Sequence, residues 1–312
     1  MTTETTTTGP ASFEHDLLVR LTDRWGQRVA VKQDELDLDG HFDPLLPDFP
    51  DHLVPPLRLP EAAAVSEEAR TAMRSASWIA YNAKTAAMED EVILPACRLM
   101  LQEDLPVRRD HTAVAALHQT IIDEHYHILM CHNAVGVTRR RRGLEDLDFH
   151  PSSWAVVQRL KKATAGCNGV ERDLVSVAFA LAAETTINAF LSILPTAESI
   201  QPMNRMTVDL HRRDESGHAV VFRELVGGLY RELDAAQREL FRDALVDGLD
   251  AFRAPDFEPW VAVAGCGDLT VSAEQLAAAA APPLPRNTGP LQLLLADLGL
   301  TEELGERIGI ER

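Results

Sequence analysis

Two short segments of the sequence place a glutamate three residues before a histidine: EHYH at 124–127 and ESGH at 215–218. On an α-helix, positions i and i+3 share a face, so the carboxylate and the imidazole of each pair can bind one metal ion. Each motif alone is weak evidence, because about one such pair is expected by chance in a chain with this much glutamate and histidine. A solvated, charged helix face is the alternative for either pair.

Two further glutamates give these motifs a context. Glu89 lies in the partly apolar run NAKTAAMEDEVILP, and Glu184 lies in the apolar run LVSVAFALAAETTINAFLSIL. The order Glu, ExxH, Glu, ExxH over four predicted helices is the ligand pattern of di-iron and di-manganese carboxylate bundles. A structural bundle with charged outer faces is the competing interpretation. Glu184 fits that alternative badly, since a buried carboxylate needs a partner.

One more histidine shares a helix face with the second motif. His211 lies four residues before Glu215 and seven before His218, which places all three on one side of a helix. As a ligand it would make the centre rich in nitrogen donors and alter its redox properties. The alternative is a surface histidine beside Arg212 and Arg213.

The elements that must position these residues are helices. Segments rich in Ala, Leu and Glu predict five of them, at 66–91 with a bend or end near Pro95, 112–134, 170–194, 203–233 and 235–252. Few runs alternate with the period of two that strands need. The predicted fold is therefore all-α, a ferritin-like or ribonucleotide-reductase-like helical bundle with a dinuclear metal site in its core.

The sequence predicts one large domain with two different ends. Residues 1–12 are expected to form a disordered tail, and they lack the basic and apolar regions of a secretory signal. Residues 13–280 are expected to form a single helical-bundle domain, whose proline-rich segment 13–60 wraps around it in an extended conformation. Residues 281–312 are expected to form a linker and a short C-terminal helix.

The composition excludes several classes of partner. The net charge of −18 would repel nucleic-acid phosphates, and four widely spaced cysteines without a CxxC pair are typical of reduced thiols in the cytoplasm. The apolar run at 174–194 is long enough to span a membrane, but Glu184 at its centre would cost roughly 2.5–3.5 kcal/mol there. We therefore expect a cytoplasmic protein without membrane or nucleic-acid partners.

The sequence resembles the p-aminobenzoate N-oxygenases of aureothin-type antibiotic pathways, which convert an arylamine into a nitroarene at a non-haem di-iron centre. The resemblance covers residues 40–255, and its motifs are WIAYN at 78–82, IIDEHYH at 121–127, AETTINA at 183–189 and IQPMNRMTVDLHRRDESGH at 200–218. In that family an additional histidine precedes the final ExxH, which matches His211. The resemblance implies seven metal ligands: Glu89, Glu124, His127, Glu184, His211, Glu215 and His218.

The resemblance also implies an activity and its participants. The protein would use two iron ions, dioxygen and an external electron donor to oxidise an arylamine to hydroxylamine, nitroso and nitro products. Such chemistry is expected in antibiotic or other secondary-metabolite biosynthesis, with the amine either free or tethered to a carrier protein. Relatives among helical bundles imply a homodimer.

Five further residues are candidates near the centre. Asn188 lies one turn after Glu184 and either binds substrate or satisfies a backbone group, while Tyr81 either lines the pocket or packs in the core. Lys84 falls where relatives carry an arginine that binds a benzoate carboxylate. Because lysine and arginine are not interchangeable at such a site, the identity of the substrate stays open. Asp123 and Asp214 each precede a ligand glutamate and are expected to orient ligand histidines.

Two other functions remain open at this point. One is a different di-iron oxidase, such as a hydroxylase or a desaturase. A radical-bearing subunit is disfavoured because Tyr126 lies roughly 160° around its helix from Glu124. The other is a non-enzymatic, ferritin-like metal-binding bundle.

Overall fold

The computed structural model describes residues 13–192, 194, 199–278 and 289–305, and none of these residues lies in a β-strand. This confirms the all-α class. The helices are α1 Phe13–Arg28, α2 Glu67–Met88, α3 Leu94–Leu101, α4 His111–Arg142, α5 Ala155–Thr164, α6 Gly169–Leu191, α7 Pro202–Glu232, α8 Ala235–Arg253, α9 Phe257–Gly265, α10 Ala273–Ala278, α11 Gly289–Asp297 and α12 Thr301–Leu304.

Helix α6, the most apolar of the long helices, lies in the centre of the bundle. A helix that is apolar on all sides is stable only when it is surrounded by other elements. Although α6 is long and apolar enough to cross a membrane, 72% of its most apolar window is buried inside the protein. Helix α8 approaches it closely at Gly248, where an added Cβ would lie 3.0 Å from the Cβ of Ala182. The apolar run is therefore a core helix.

Local sequence signals account for where the long helices begin and end. The side chains of Ser66, Asp110, Asn168 and Asp234 accept a backbone N–H in the first turn of α2, α4, α6 and α8, respectively. Such caps satisfy N–H groups that have no partner within the helix. Gly143, with φ of 66°, ends α4 in the left-handed conformation that glycine adopts without strain.

Two predicted helix boundaries differ from the structure. Helix α4 continues eight residues past the predicted end at 134, through the four arginines Arg139–Arg142. Helix α6 ends at Leu191, three residues before its predicted end. Short helices such as α5 and α9 were not predicted, because they span only 10 and 9 residues, over which a helical period is hard to distinguish.

The expectation of an extended segment from residue 13 was wrong for its first part. Residues 13–28 form helix α1, in which Leu18, Leu21 and Trp25 recur at helical spacing. The prolines that suggested an extended chain begin only at Pro44, and from there the backbone runs through short 3₁₀ turns. The predicted tail at 1–12 lies outside the described residues, as do residues 281–288 of the predicted linker at 281–290. Helix α11 begins at Gly289, within the last two residues of that linker.

The segment that follows α1 is fastened to the bundle through a buried aspartate. Asp48 is fully buried, and one of its carboxylate oxygens accepts hydrogen bonds from Arg142 Nε at 2.8 Å and Ser75 Oγ at 2.7 Å. Its backbone carbonyl accepts one from Asn204 Nδ2 at 2.8 Å. Because Ser75, Arg142 and Asn204 belong to α2, α4 and α7, this residue ties the wrapping segment to three of the helices that carry the candidate ligands.

Candidate metal centre

The seven predicted ligands converge from four elements on the middle of the bundle. Glu89 opens a π-helical turn after α2, α4 carries two ligands, α6 carries one and α7 carries three. All are at most 2% exposed: Glu89, Glu124, His127, Glu184, His211, Glu215 and His218. Burying four carboxylates and three imidazoles removes their hydration. The free-energy cost must be offset by partners of opposite charge, by protons or by metal ions.

Six of the seven residues form two overlapping groups. The first contains Glu89, His127, His211 and Glu215, and the second contains Glu124, His127, Glu215 and His218. Within each group one donor atom per residue lies within 4.8 Å of every other donor. His127 and Glu215 belong to both groups, so the arrangement can hold two cations side by side with shared ligands.

Most of the donor atoms approach one another without forming hydrogen bonds. His211 Nε2 lies 2.8 Å from Glu89 Oε1, and His218 Nδ1 lies 2.8 Å from Glu124 Oε1. Both oxygens of Glu89 and Glu124 and the Nδ1 atoms of His127 and His218 nevertheless have no hydrogen-bond partner. His211 Nε2 and Glu215 Oε1, in contrast, are hydrogen-bonded at 3.0 Å. Converging donor atoms that are mostly unpaired are what a set of metal ligands requires, so the residues fit a dinuclear metal.

Glu184 lies beside these two groups. It is fully buried, and neither of its carboxylate oxygens has a hydrogen-bond partner. Burial, together with the negative charges of Glu215 and Glu124, raises the pKa of Glu184 well above its ordinary value. A carboxylate in this position must either keep a proton or neutralise a cation.

The electrostatics of the centre divide its carboxylates into two classes. Burial raises the pKa of Glu89 to about 7, although His211 opposes the shift. Burial would also raise the pKa of Glu215, but the neighbouring histidines, His218 foremost, hold it well below its ordinary value. Without metal, protons therefore occupy part of the ligand set, and a metal ion must displace them.

Glu89 reaches the centre from the first position of a π-helical turn, Glu89–Ile93. This turn lies just before Pro95. Pro95 lacks an N–H, and in a continuous α-helix its ring would clash with the carbonyl group of residue 91. The wider turn absorbs this clash, and α3 then begins at Leu94. π-Helical turns within α-helices are frequent at functional sites.

Asp123 and Asp214 contact the ligand histidines in a reciprocal arrangement. Asp123 of α4 has its Oδ2 3.2 Å from Nε2 of His218 on α7. Asp214 of α7 has its Oδ2 3.2 Å from Nε2 of His127 on α4. An Nε2–H donated to a carboxylate leaves Nδ1 of the same ring with a free lone pair directed at the centre.

Helix α1 supports both aspartates, which the sequence did not indicate. Trp25 donates its indole N–H to the Asp123 carboxylate, with both oxygens at 2.9 Å. The backbone N–H of Ala30 donates to Asp214 Oδ2 at 3.0 Å, and Arg28 Nη1 lies 3.8 Å from Asp214 Oδ1. The amphipathic pattern of residues 13–28 was the available signal. It predicts a helix but not what the helix contacts.

Gly217, the glycine within the second ExxH motif, makes room for this support. A Cβ added at Gly217 would lie 2.9 Å from Nη2 of Arg28. The guanidinium group of Arg28 therefore rests directly on the backbone of α7, next to the ligands Glu215 and His218. A larger residue at position 217 would displace the guanidinium group of Arg28 from this position.

Tyr81 belongs to an aromatic cluster at the α2–α6 side of the centre. Its ring stacks on Trp78 with centroids 5.8 Å apart and on Phe190 of α6 with centroids 4.5 Å apart. Its hydroxyl group is buried and has no hydrogen-bond partner. Burial, followed by the charges of Cys131 and Glu89, raises the pKa of Tyr81 well above its ordinary value.

Asn188 and Lys84 both have partners within the protein. Asn188 donates its side-chain N–H groups to Ser216 Oγ at 2.9 Å and to the backbone carbonyl of Arg212 at 3.2 Å, which links α6 to α7. Lys84 Nζ lies 2.7 Å from Oδ2 of Asp256, and both side chains are largely buried. The positive charge of Lys84 is thus already neutralised.

Comparison with known proteins identifies a family and a curated relative. The model of the family described as p-aminobenzoate N-oxygenase AurF matches residues 12–288. The 4-aminobenzoate N-oxygenase of Streptomyces thioluteus is 32% identical over 242 residues, which cover 77% of this chain and 72% of the relative. The matched region contains all seven clustered residues and both supporting aspartates. The chain belongs to the p-aminobenzoate N-oxygenase AurF family.

Proposed function

We propose that this oxygenase binds two iron ions and uses dioxygen to oxidise an arylamine through hydroxylamine and nitroso stages to a nitro product. The observation that carries the proposal is the buried set of converging glutamate and histidine donors, most of which have no hydrogen-bond partner. Carboxylate and imidazole donors suit iron and manganese, and the oxygen chemistry of the family requires a redox-active metal. The family membership adds arylamine nitrogen as the position that is oxidised.

We assign the metal-binding role to all seven clustered residues. His127 and Glu215 belong to both four-residue groups and would be shared between the ions. When bound, the ions supply the reduction of dioxygen. Asp123 and Asp214 hold the Nε2–H groups of His218 and His127, which directs each Nδ1 at its metal position. The surrounding apolar residues of α2 and α6 exclude water.

The reaction needs electrons from outside the protein. In the first step, one oxygen atom of dioxygen enters the N–H bond and the other leaves as water, which consumes two electrons and two protons. We therefore propose an external electron-transfer protein or chemical reductant as a partner. We further propose a cytoplasmic homodimer without membrane or nucleic-acid partners, acting on a free or carrier-tethered amine in antibiotic or other secondary-metabolite biosynthesis.

The aromatic cluster is where we place the substrate ring. Tyr81 and Phe190 lie on the two helices that bear Glu89 and Glu184, and the partnerless hydroxyl group of Tyr81 is available to a substrate. Lys84 and Asn188 remain predicted substrate contacts. A substrate carboxylate would have to compete with Asp256 for Lys84, since that pair already lies at 2.7 Å.

The test is the oxidation of a panel of arylamines by the iron-loaded protein. We would supply dioxygen, a chemical reductant and either 4-aminobenzoate or para-substituted anilines without a carboxylate, and follow products by mass spectrometry with ¹⁸O₂. We expect ¹⁸O on nitrogen, and a preference for uncharged anilines because Lys84 is neutralised. Hydroxylation of ring or aliphatic carbon with an intact amine would overturn the proposal in favour of a di-iron hydroxylase.

A further inference from the structure

Helix α1 and the turn after it carry a basic surface, although the whole chain has a net charge of −18. Asp23 is the single acidic residue between positions 17 and 33. The basic residues of the same interval, which we name the α1 basic row, are Arg20, Arg24, Arg28 and Lys32. The three arginines recur every four residues, so they share one face of the helix. Because the guanidinium group of Arg28 rests on Gly217, this face lies on the α7 side of α1.

Most of the charge of the α1 basic row is not compensated within the protein. The side chains of Arg20, Arg24 and Lys32 are exposed and form no ion pair with another described residue. The other basic stretch of the chain, Arg139–Arg142, differs in this respect. Each of its four arginines lies within 2.8–3.2 Å of an aspartate carboxylate. A partner with an acidic surface therefore meets uncompensated positive charge at α1 and not at that run of arginines.

The α1 basic row borders a tryptophan that is connected to the metal centre. Lys32 Nζ lies 4.9 Å from the centre of the half-buried Trp25 ring. The indole N–H of Trp25 is donated to Asp123, and Oδ2 of Asp123 lies 3.2 Å from Nε2 of the predicted ligand His218. Two hydrogen bonds thus join a ring at the surface to a residue of the centre. Because the rate of electron transfer falls steeply with distance, such a short connection favours this surface as the place where electrons enter.

We propose that the α1 basic row is the docking site of an acidic electron-donor protein, which places the redox group of the donor beside Trp25. The inference rests on the proposed function, because that reaction requires electrons from outside. Most of the surface of this acidic chain repels an acidic donor, so the basic row would guide it to one place. In the first oxidation step, two reduced donors lose one electron each. These electrons and two protons convert the second oxygen atom of dioxygen into water.

The first experiment measures binding without metal or amine. Oxidised plant-type 2Fe–2S ferredoxin, an acidic one-electron carrier, is titrated into the metal-free full-length protein in a calorimeter. The double variant Arg24→Glu with Lys32→Glu should bind it at least about 10-fold more weakly at low ionic strength. The difference should shrink between roughly 20 and 150 mM salt, because salt screens exposed charges. Circular dichroism checks that α1 remains folded.

The double variant Lys162→Glu with Arg172→Glu is the matched control. It changes the net charge by the same amount at exposed positions of α5 and α6, which pack against α8. Its affinity for ferredoxin should stay within about twofold of the native value. A native protein that does not bind ferredoxin, or equal weakening in both double variants, would overturn the inference. Binding of phosphatidylserine vesicles in place of ferredoxin would overturn it in favour of a membrane surface.

The second experiment follows reduction of the iron-loaded protein by stopped-flow absorption. Reduction by ferredoxin should be at least about 10-fold slower in Arg24→Glu with Lys32→Glu than in the native protein. Reduction by dithionite, which is too small to need a docking surface, should change by no more than about threefold. Equal slowing with both reductants would assign the effect to the metal centre and overturn the inference. Neither experiment contains an amine, so a failure of N-oxygenation would leave both results unaffected.

Discussion

The two sides of the metal centre are built differently. On the α4–α7 side, the Nε2 atoms of His127 and His218 each meet an aspartate, and each aspartate accepts an N–H from α1 or the residues just after it. On the α2–α6 side, the carboxylate oxygens of Glu89 and Glu184 have no hydrogen-bond partner, although Glu89 Oε1 lies 2.8 Å from His211 Nε2. Among the described residues, the aspartates give the first side a chain of hydrogen bonds that has no counterpart at Glu89 and Glu184.

This difference separates two tasks within one centre. Histidines fixed through their second nitrogen keep a constant geometry, which preorganises the metal positions. Carboxylates without hydrogen bonds can change orientation at low cost when ligands bind or leave. The aromatic cluster around Tyr81 and Phe190 also belongs to α2 and α6. These features support the proposed position of the substrate ring on the α2–α6 side.

The largest effect is expected from Glu215→Ala. Glu215 belongs to both four-residue groups, so its loss removes a donor from both metal positions. We predict that both ions bind at least about 100-fold more weakly, as measured by titration of the metal-free protein with Fe²⁺ under anaerobic conditions. Glu239→Ala, at an exposed position of α8, is the control. One ion bound with native affinity would show that Glu215 is not shared.

Asp123→Asn and Asp214→Asn test the hydrogen-bonded side. Each change keeps the shape of the side chain but removes the charge that holds an Nε2–H group. Loss of such a partner weakens metal binding by roughly 10- to 100-fold. We expect both variants to fall in this range and to keep the helical content of the native protein. Native affinity in both would show that the aspartates do not position the histidines.

The dependence of folding stability on pH tests whether protons and metal ions compete for the same ligand residues. Despite the opposing effect of burial, nearby carboxylates raise the pKa values of His127, His211 and His218 well above 6.5, and burial raises that of Glu89 to about 7. Groups with raised pKa values contribute their full stabilisation below their unfolded-state pKa, and they lose it as the pH rises through the folded-state value. For Glu89, that loss begins above its ordinary pKa of 4.5 and is complete above about pH 7.

We therefore predict that the melting temperature of the metal-free protein falls as the pH is raised from about 6.5 towards 9. The metal-loaded protein should lose less stability over the same range, because metal has replaced the protons, and metal addition in weak buffer should release acid. Calorimetry of both forms and a pH-stat titration are the measurements. Equal pH dependence of the two forms, without proton release, would show that metal does not bind at these residues.

Trp25→Phe gives the smallest expected effect. It removes an N–H donated to Asp123, a bond worth about 1 kcal/mol, so metal binding should weaken only several-fold. The double variant with Asp123→Asn sharpens the test. If Trp25 acts through Asp123, its replacement should have little further effect once the aspartate charge is gone. Additive losses would assign Trp25 a separate role in packing.

Much of the fold could be predicted from the sequence because its signals are local. The caps at Ser66 and Asp110 and the apolar character of α6 depend on residues close together in the chain. Helix α1 was missed because the prolines from Pro44 onward dominated the interpretation of the N-terminal segment. The boundary between α2 and α3 could be placed near Pro95, but the π-helical form of the turn at Glu89 has no sequence signal of its own.

The site, like the fold, was only partly predictable from the sequence. The spacing of glutamates and histidines predicted a set of residues that the structure brings together. The partners of Asp123 and Asp214 depend on how α1, α4 and α7 are rotated relative to each other, which spacing within one helix does not specify. The pair between Lys84 and Asp256 joins residues 172 positions apart. Only the folded structure shows that this lysine is neutralised.

The most direct test is the number of iron ions per chain in the native protein, set beside Glu184→Ala. Glu184 lies on the side without hydrogen bonds, so its replacement removes a carboxylate whose burial only a cation or a proton explains. We predict about two iron ions per native chain and loss of at least one in the variant, with helical content unchanged. A native protein that binds neither iron nor another metal, or a variant with the native iron content, would contradict the account.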